Sequence, residues 1–418
     1  MELAPSSDEF GGIDVLVGIP QSYKTSKILN LPLNPPGDIY ESPSIISLIF
    51  HSLSLQNAKH NFLNDIFPHA EGGNCTVSRL YSPDLKEGSA LKRFKDNYQL
   101  IFRRDGTCLS PRALQKHIRE IYLMTNPFLS QQPNIMDCKF LKWEYNAQYS
   151  DDLVPYTPAL VLTRAEGGTI THYQQRASSF MPQMLLEDIS FCYDICLAIE
   201  ALHACGVAHG DIKPGNVLIR YHFVPASIAE RNQNMTLDYD EYGPYWRWKI
   251  TTNDGSSMHY RPMPSAILND FGDSILANET PLQRPFGTMA YWAPECDLPE
   301  SLPLFTDIFS LGLTIWEIMM RKFYLHSNSW NQLSAVQLDD LKRSGRVLTT
   351  ACDWASCIAS LPTDRILDSQ PFREDLSNLL LKIFKYTLSP SWKERSLGEV
   401  ISALESFEPL VKFRAQCR

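Results

Sequence analysis

Hydrophobic positions along this chain follow two periods, and the switch falls near residue 166. Residues 1–40 mix Ser, Pro, Gly and isolated apolar residues without a sustained period, which predicts a loosely ordered tail. Ser42-Pro43 then sets an N-cap before a proline at the first helical position, and Ile45, Ile49 and Leu53 give that helix one apolar face. From residue 61 the apolar runs shorten and become β-like, at 61–67, 70–77, 89–94, 98–102, 135–145 and 159–165. Among them Ser110-Pro111 caps a helix carrying Leu114, Ile118 and Ile121. Residues 41–165 therefore read as an extension helix and a small, mainly β unit.

Beyond Glu166-Gly167-Gly168 the period becomes helical, with Leu185, Ile189, Cys192, Cys196 and Ile199 on one face. Residues 166–412 read as a larger helical unit, interrupted at 221–265 by an aperiodic insert rich in Tyr, Trp and acidic residues. So long an excursion predicts a surface insertion. No internal repeat is visible, and the fold class expected is α+β.

Composition narrows the partners. The formal net charge is −9 and no block of Lys and Arg stands out, so the concentrated basic surface that nucleic acid requires is missing. The longest apolar run, 45–55, is broken by Ser47, His51, Ser52 and Ser54 and is too short to span a bilayer, so no membrane partner is expected. Met1-Glu2-Leu3-Ala4-Pro5 lacks the basic start and apolar core of a secretory signal. The cysteines form no Cys-x-x-Cys pair, and Cys192 and Cys196 read as core thiols. An intracellular location, cytoplasmic or nuclear, fits these features.

The chemistry concentrates in His209-Gly210-Asp211-Ile212-Lys213-Pro214-Gly215-Asn216, just ahead of an apolar run. One loop there offers a carboxylate to take a proton, an ammonium and a metal-binding amide, the set that phosphoryl transfer needs. Asp270-Phe271-Gly272 follows the insert, and Gly287-Thr288-Met289-Ala290-Tyr291-Trp292-Ala293-Pro294-Glu295 follows that. Lys92 ends an Ala-Leu-Lys triplet on a predicted strand, and Glu120 lies in the next helix.

In this order the motifs resemble the eukaryotic protein kinase family of serine/threonine type, over about residues 61 to 412. The resemblance implies a bilobal α+β fold, a small β-rich N-lobe and a larger helical C-lobe, with ATP in the cleft. It implies that Asp211 accepts the proton of the substrate hydroxyl, that Lys213 steadies the γ-phosphate and that Thr288 contacts both. Asn216 and Asp270 would hold Mg²⁺, while Lys92 and Glu120 would position the nucleotide. Gly72, Gly73 and Val77 would cover the phosphates, and Leu162, Thr163 and Ala165 would meet the adenine. Glu295 would pair with Arg395, and Asp307 would brace the catalytic loop. The partner implied is a protein substrate.

Two departures qualify the resemblance. The glycine-rich loop reads Ala70-Glu71-Gly72-Gly73-Asn74-Cys75-Thr76-Val77, with only the middle glycine in register, which weakens closure over phosphates. Gly210 stands where the family commonly has an arginine that grips a phosphorylated activation loop, so phosphate at Ser274 or Thr280 has less to hold it. The expectation is activity independent of that switch. Two alternatives stand beside an active kinase: a pseudokinase serving as a nucleotide-binding or scaffolding module, and a small-molecule phosphotransferase. The second is disfavoured because that family usually lacks the counterparts of Lys213, Asp-Phe-Gly and Ala-Pro-Glu.

Overall fold

The computed structural model describes residues 63–64, 70–71, 75–81, 89–95, 111–145, 156–176, 182–225, 238–240, 243–245, 250–251, 257–258, 260–276, 287–296, 302–359 and 370–416. The predicted tail, the helix behind Ser42-Pro43, the run at 98–102 and residues Gly72 and Gly73 lie outside them. The chain divides into two compact units, one of residues 1–164 and 270–274, the other of 165–269 and 275–418.

The first unit is an antiparallel sheet with one long helix. Its strands are β1 (Leu63–Asn64), β2 (Ala70–Glu71), β3 (Cys75–Tyr81), β4 (Ser89–Phe94), β5 (Cys138–Tyr145) and β6 (Tyr156–Thr163), and its helix is α1 (Pro111–Thr125). The sheet order is β1-β3-β4-β6-β5, with β2 on β3. β4 forms over the predicted run at 89–94, with Leu91 and Lys92 buried at its centre. The last two strands are displaced from their predicted ends: β5 begins at Cys138 rather than 135, and β6 spans Tyr156–Thr163 rather than 159–165. Ile135 and Met136 are apolar because they are buried ahead of the strand, so hydrophobicity alone placed its start too early.

The second unit is mostly helical. Helix α2 (Ile170–Arg176) and the 23-residue α3 (Pro182–Ala204) lead to β8 (Val207–Ala208), after β7 (Gly168–Thr169). On the predicted face of α3, Ile189, Cys192, Cys196 and Ile199 are buried and Leu185 is half-buried, and burial pushes both thiols up. Strand β9 (Val217–Pro225) pairs antiparallel with β14 (Tyr260–Leu268) through nine positions, from Val217↔Leu268 to Pro225↔Tyr260. The ends of the insert are thus a β-ribbon, not an aperiodic loop. Within it β10 (Asp238–Asp240) pairs with β11 (Gly243–Tyr245), and β12 (Ile250–Thr251) with β13 (Ser257–Met258). Strand β15 (Ile275–Leu276) returns to β8.

Helices α4 (Pro303–Met320), α5 (Tyr324–Ser327), α6 (Ala335–Arg343), α7 (Arg346–Ile358), α8 (Gln370–Thr387), α9 (Leu397–Ser406) and α10 (Glu408–Gln416) complete the unit. By length and composition α4 is apolar enough to cross a membrane. Its burial explains that composition, since Phe309, Leu313, Ile315 and Trp316 are fully enclosed.

Candidate active site

In the first unit three charged side chains meet. β4 carries Lys92 toward α1, where Glu120 Oε1 accepts from Lys92 Nζ at 2.6 Å. Lys92 Nζ also reaches Asp270 Oδ1 at 3.3 Å. Lys92 and Glu120 are buried, whereas the Asp270 side chain is 48% exposed, leaving carboxylate oxygen open to solvent. Burial by itself pushes the pKa of Lys92 down; Glu120 and Asp270 more than offset it and raise it above the ordinary lysine value. Asp270 adopts φ 69°, a left-handed conformation that costs a non-glycine residue about 1–2 kcal/mol and marks sites held by their surroundings. Those surroundings are the turn Phe271–Asp273, in which Phe271 is fully buried and Asp273 pairs with Lys116 of α1 at 2.5 Å. Val77 lies across from Lys92 in the β3–β4 ladder. Leu162 and Thr163 are buried at the end of β6.

In the second unit the catalytic-type loop runs from β8 into β9. Asp211 Oδ2 accepts from Lys213 Nζ at 2.6 Å and from Asn216 Nδ2 at 2.9 Å, and its Oδ1 accepts from the Thr288 backbone N–H at 2.7 Å. Lys213 Nζ also donates to Thr288 Oγ1 at 2.6 Å. Asn216 donates through Nδ2 to the Asp211 carbonyl as well, at 2.8 Å, so both bonds use the nitrogen rather than the oxygen a hard cation takes. Ala165 lies in the turn ahead of β7, where its carbonyl accepts from Gly168 N–H at 3.3 Å.

The loop's main chain is fixed from below. Asp307 of α4 accepts from the N–H groups of His209 (2.7 Å) and Gly210 (2.9 Å) and contacts His203 Nε2 at 3.1 Å. His209 is buried; its Nδ1 accepts from Asp211 N–H, so Nε2 carries the proton and donates to the Asn269 carbonyl at 3.1 Å. Gly210 has φ 78° and Gly287 has φ 88°. A Cβ at Gly287 would sit 2.4 Å from the Gly210 carbonyl oxygen, so only glycine lets the two segments approach. Glu295 and Arg395 form a bidentate buried pair at 2.5 and 2.9 Å, and the guanidinium also donates to the Ser389 and Phe305 carbonyls.

The structure thus brings Lys92, Glu120 and Asp270 together in one unit, and Asp211, Lys213, Asn216 and Thr288 in the other. Ser274 is fully buried, which removes it as a surface phosphate acceptor, and Thr280 lies outside the described residues. Two residues escaped sequence reasoning: Glu317, which accepts from Tyr291 OH at 2.6 Å, and Lys342, which reaches the backbone beside Thr288. Neither lies in a motif that the sequence exposes.

This fold and these paired groups define a protein kinase domain, and the comparisons agree. The profile of the protein kinase domain matches residues 71–397. Serine/threonine-protein kinase srk1 of Schizosaccharomyces pombe is 31% identical over 162 residues, which is 38% of this chain and 26% of that protein. The probable serine/threonine-protein kinase iksA of Dictyostelium discoideum is 31% identical over 206 residues, 46% of this chain and 18% of the relative. Serine/threonine-protein kinase TOS3 of Saccharomyces cerevisiae is 27% identical over 143 residues, covering 34% and 20%. The chain spans about a quarter or less of the length of these relatives. It belongs to the protein kinase family, whose members typically use ATP, magnesium and protein substrates.

Proposed function

We propose that this chain transfers the γ-phosphoryl group of ATP to serine and threonine hydroxyls of protein substrates inside the cell, in the cytoplasm or nucleus. The observation that carries the reading is the contact of Lys213 Nζ with both Asp211 Oδ2 and Thr288 Oγ1, each at 2.6 Å. Asp211 takes the proton of the acceptor hydroxyl, and Lys213 holds positive charge where negative charge develops on the moving group. Thr288 couples that pair to the segment after it, an arrangement that favours Ser/Thr over Tyr acceptors.

The residues present fit a magnesium nucleotide, which when bound supplies the transferable phosphoryl group. On family membership Asp270 and Asn216 are assigned to the metal, and each by itself carries a hard donor, a carboxylate oxygen and an amide oxygen. Lys92, kept protonated by Glu120 and Asp270, offers an ammonium to the phosphates. Leu162, Thr163 and Ala165 are assigned to the adenine, and Gly72, Gly73 and Val77 to the phosphates, on family membership.

A second reading, a nucleotide-binding or scaffolding module, is favoured by Ala70 and Cys75 in place of glycines. Burial pushes the Cys75 thiol up, which disfavours a thiolate that would repel phosphate. Transfer from labelled ATP with Mg²⁺ to matched peptides bearing only Ser, only Thr or only Tyr separates the readings. Labelling of the Ser and Thr peptides is expected. Nucleotide binding with no transfer to any peptide would establish the module instead.

A further inference from the structure

We infer that Lys342 is a positioning residue for the acceptor side of the reaction: from α6 it fixes the backbone of residues 289–292, and so governs how the protein acceptor, not the nucleotide, is held. The inference rests on the kinase reading and deepens it.

The segment has little structure of its own. It is a single 3₁₀ turn, Met289–Tyr291, closed by Tyr291 N–H to Thr288 O at 2.9 Å and Trp292 N–H to Met289 O at 3.3 Å. Beyond Met289 O, its carbonyls would otherwise need water or a second strand. Lys342 Nζ donates to three of them: Met289 O at 3.4 Å, Ala290 O at 2.9 Å and Trp292 O at 2.7 Å. Ser310 Oγ of α4 donates to the fourth, Tyr291 O, at 2.7 Å, and Tyr324 OH of α5 adds a second donor to Ala290 O. Every carbonyl from Met289 to Trp292 is therefore held by a side chain from a helix, and one ammonium holds three.

The residue is costly where it stands. Lys342 is 3% exposed, and a buried ammonium costs several kcal/mol unless its protons are all engaged. Burial lowers its pKa to about 8, consistent with partners that are neutral carbonyls. α6 is otherwise a surface helix: its N-terminus is closed by a capping box of Ser334 and Gln337, and only Leu338 and Lys342 are buried. An apolar residue one turn after Leu338 would complete the helix's packing at no electrostatic cost. A lysine there is explained by what it holds.

What it holds lies against the reacting groups. Thr288, which begins the turn, bonds Lys213 and Asp211, and the next side chain, Met289, is 51% exposed. A shift of this backbone would move an exposed contact surface adjoining Asp211, whereas Lys92, Glu120 and Asp270 belong to the other unit.

The test compares full-length wild type, Lys342→Met and Lys342→Arg, using the best acceptor from an arrayed Ser/Thr peptide library, with KM measured separately for peptide and for ATP. Lys342→Met is expected to raise the peptide KM about tenfold, the size of a lost charge-assisted bond, with the ATP KM unchanged. Lys342→Arg is expected to recover part of the loss. Hydrogen exchange at the Tyr291 and Trp292 amides is expected to quicken in Lys342→Met. Should that variant not fold, Lys342→Gln, which keeps two donors without the charge, is expected to show the same split at smaller size. A unitary change in both KM values, or an unchanged peptide KM in an active enzyme, overturns this inference alone. A wild type that binds nucleotide but labels no peptide overturns the kinase reading, and this inference with it.

Discussion

Lys92 and Asp211 are both buried charges, but their surroundings are built from different materials. Lys92 is held by two carboxylates at the ends of side chains, Glu120 and Asp270. Asp211 is held partly by main chain, through the Thr288 N–H, and its loop is held almost wholly so, with Asp307 gripping the N–H groups of His209 and Gly210. The first region stores its geometry in charge, the second in backbone. A charge-built site should fail when a charge is deleted and tolerate small steric changes. A backbone-built one should fail when an N–H loses its acceptor or a Cβ intrudes.

The largest expected effect is in the second region. Asp307→Ala leaves two backbone N–H groups buried without an acceptor and should lower stability by about 2–6 kcal/mol, read by urea unfolding. In the first region Lys92→Met should lower kcat/KM for ATP about 10- to 100-fold, the worth of charged hydrogen bonds. Adding Glu120→Gln to that variant should restore stability, by removing the stranded carboxylate, without restoring activity. If the double variant recovers activity, charge is not what organises the first region.

Smaller effects sharpen the contrast. Gly210→Ala changes no charge but puts a Cβ at φ 78°, and should cost about 1–2 kcal/mol in stability. No loss would show that the loop relaxes freely, against the backbone account. Glu317 should give the smallest signal. Burial raises its pKa from 4.5 to about 7 despite the hydrogen bond from Tyr291, so the folded chain binds more protons than the unfolded one between those values. Its contribution to stability therefore declines as pH rises from about 4.5 to 7. Glu317→Gln should flatten the slope of stability against pH across that window.

How far each region could be read in advance follows the same division. Asp211, Lys213 and Asn216 sit within six residues of one another, and Asp270-Phe271-Gly272 is contiguous, so short-range spacing exposes them. β4 was legible as a short β-like run, although Leu91 and Lys92 are buried side by side rather than in alternation. The β9–β14 ribbon was not, because Tyr221 finds its partner Pro264 only across the whole insert, and its prolines obscure a strand signal. Gly210 was legible as a missing charge but not as a left-handed residue, since conformation is set by Asp307 from almost a hundred positions away. Lys342 was illegible: a lysine near the end of a short polar helix reads as solvated, and only three converging carbonyls distinguish it.

The central claim is that Asp211 serves chemistry rather than structure. The direct measurement is the rate of phosphate transfer by wild type and Asp211→Asn to one Ser peptide, with Mg-ATP affinity determined in parallel. The account predicts transfer reduced about 10²–10⁴-fold with nucleotide affinity unchanged, since a general base acts on the acceptor proton. Equal transfer by both proteins, or none by a wild type that binds Mg-ATP, would contradict it.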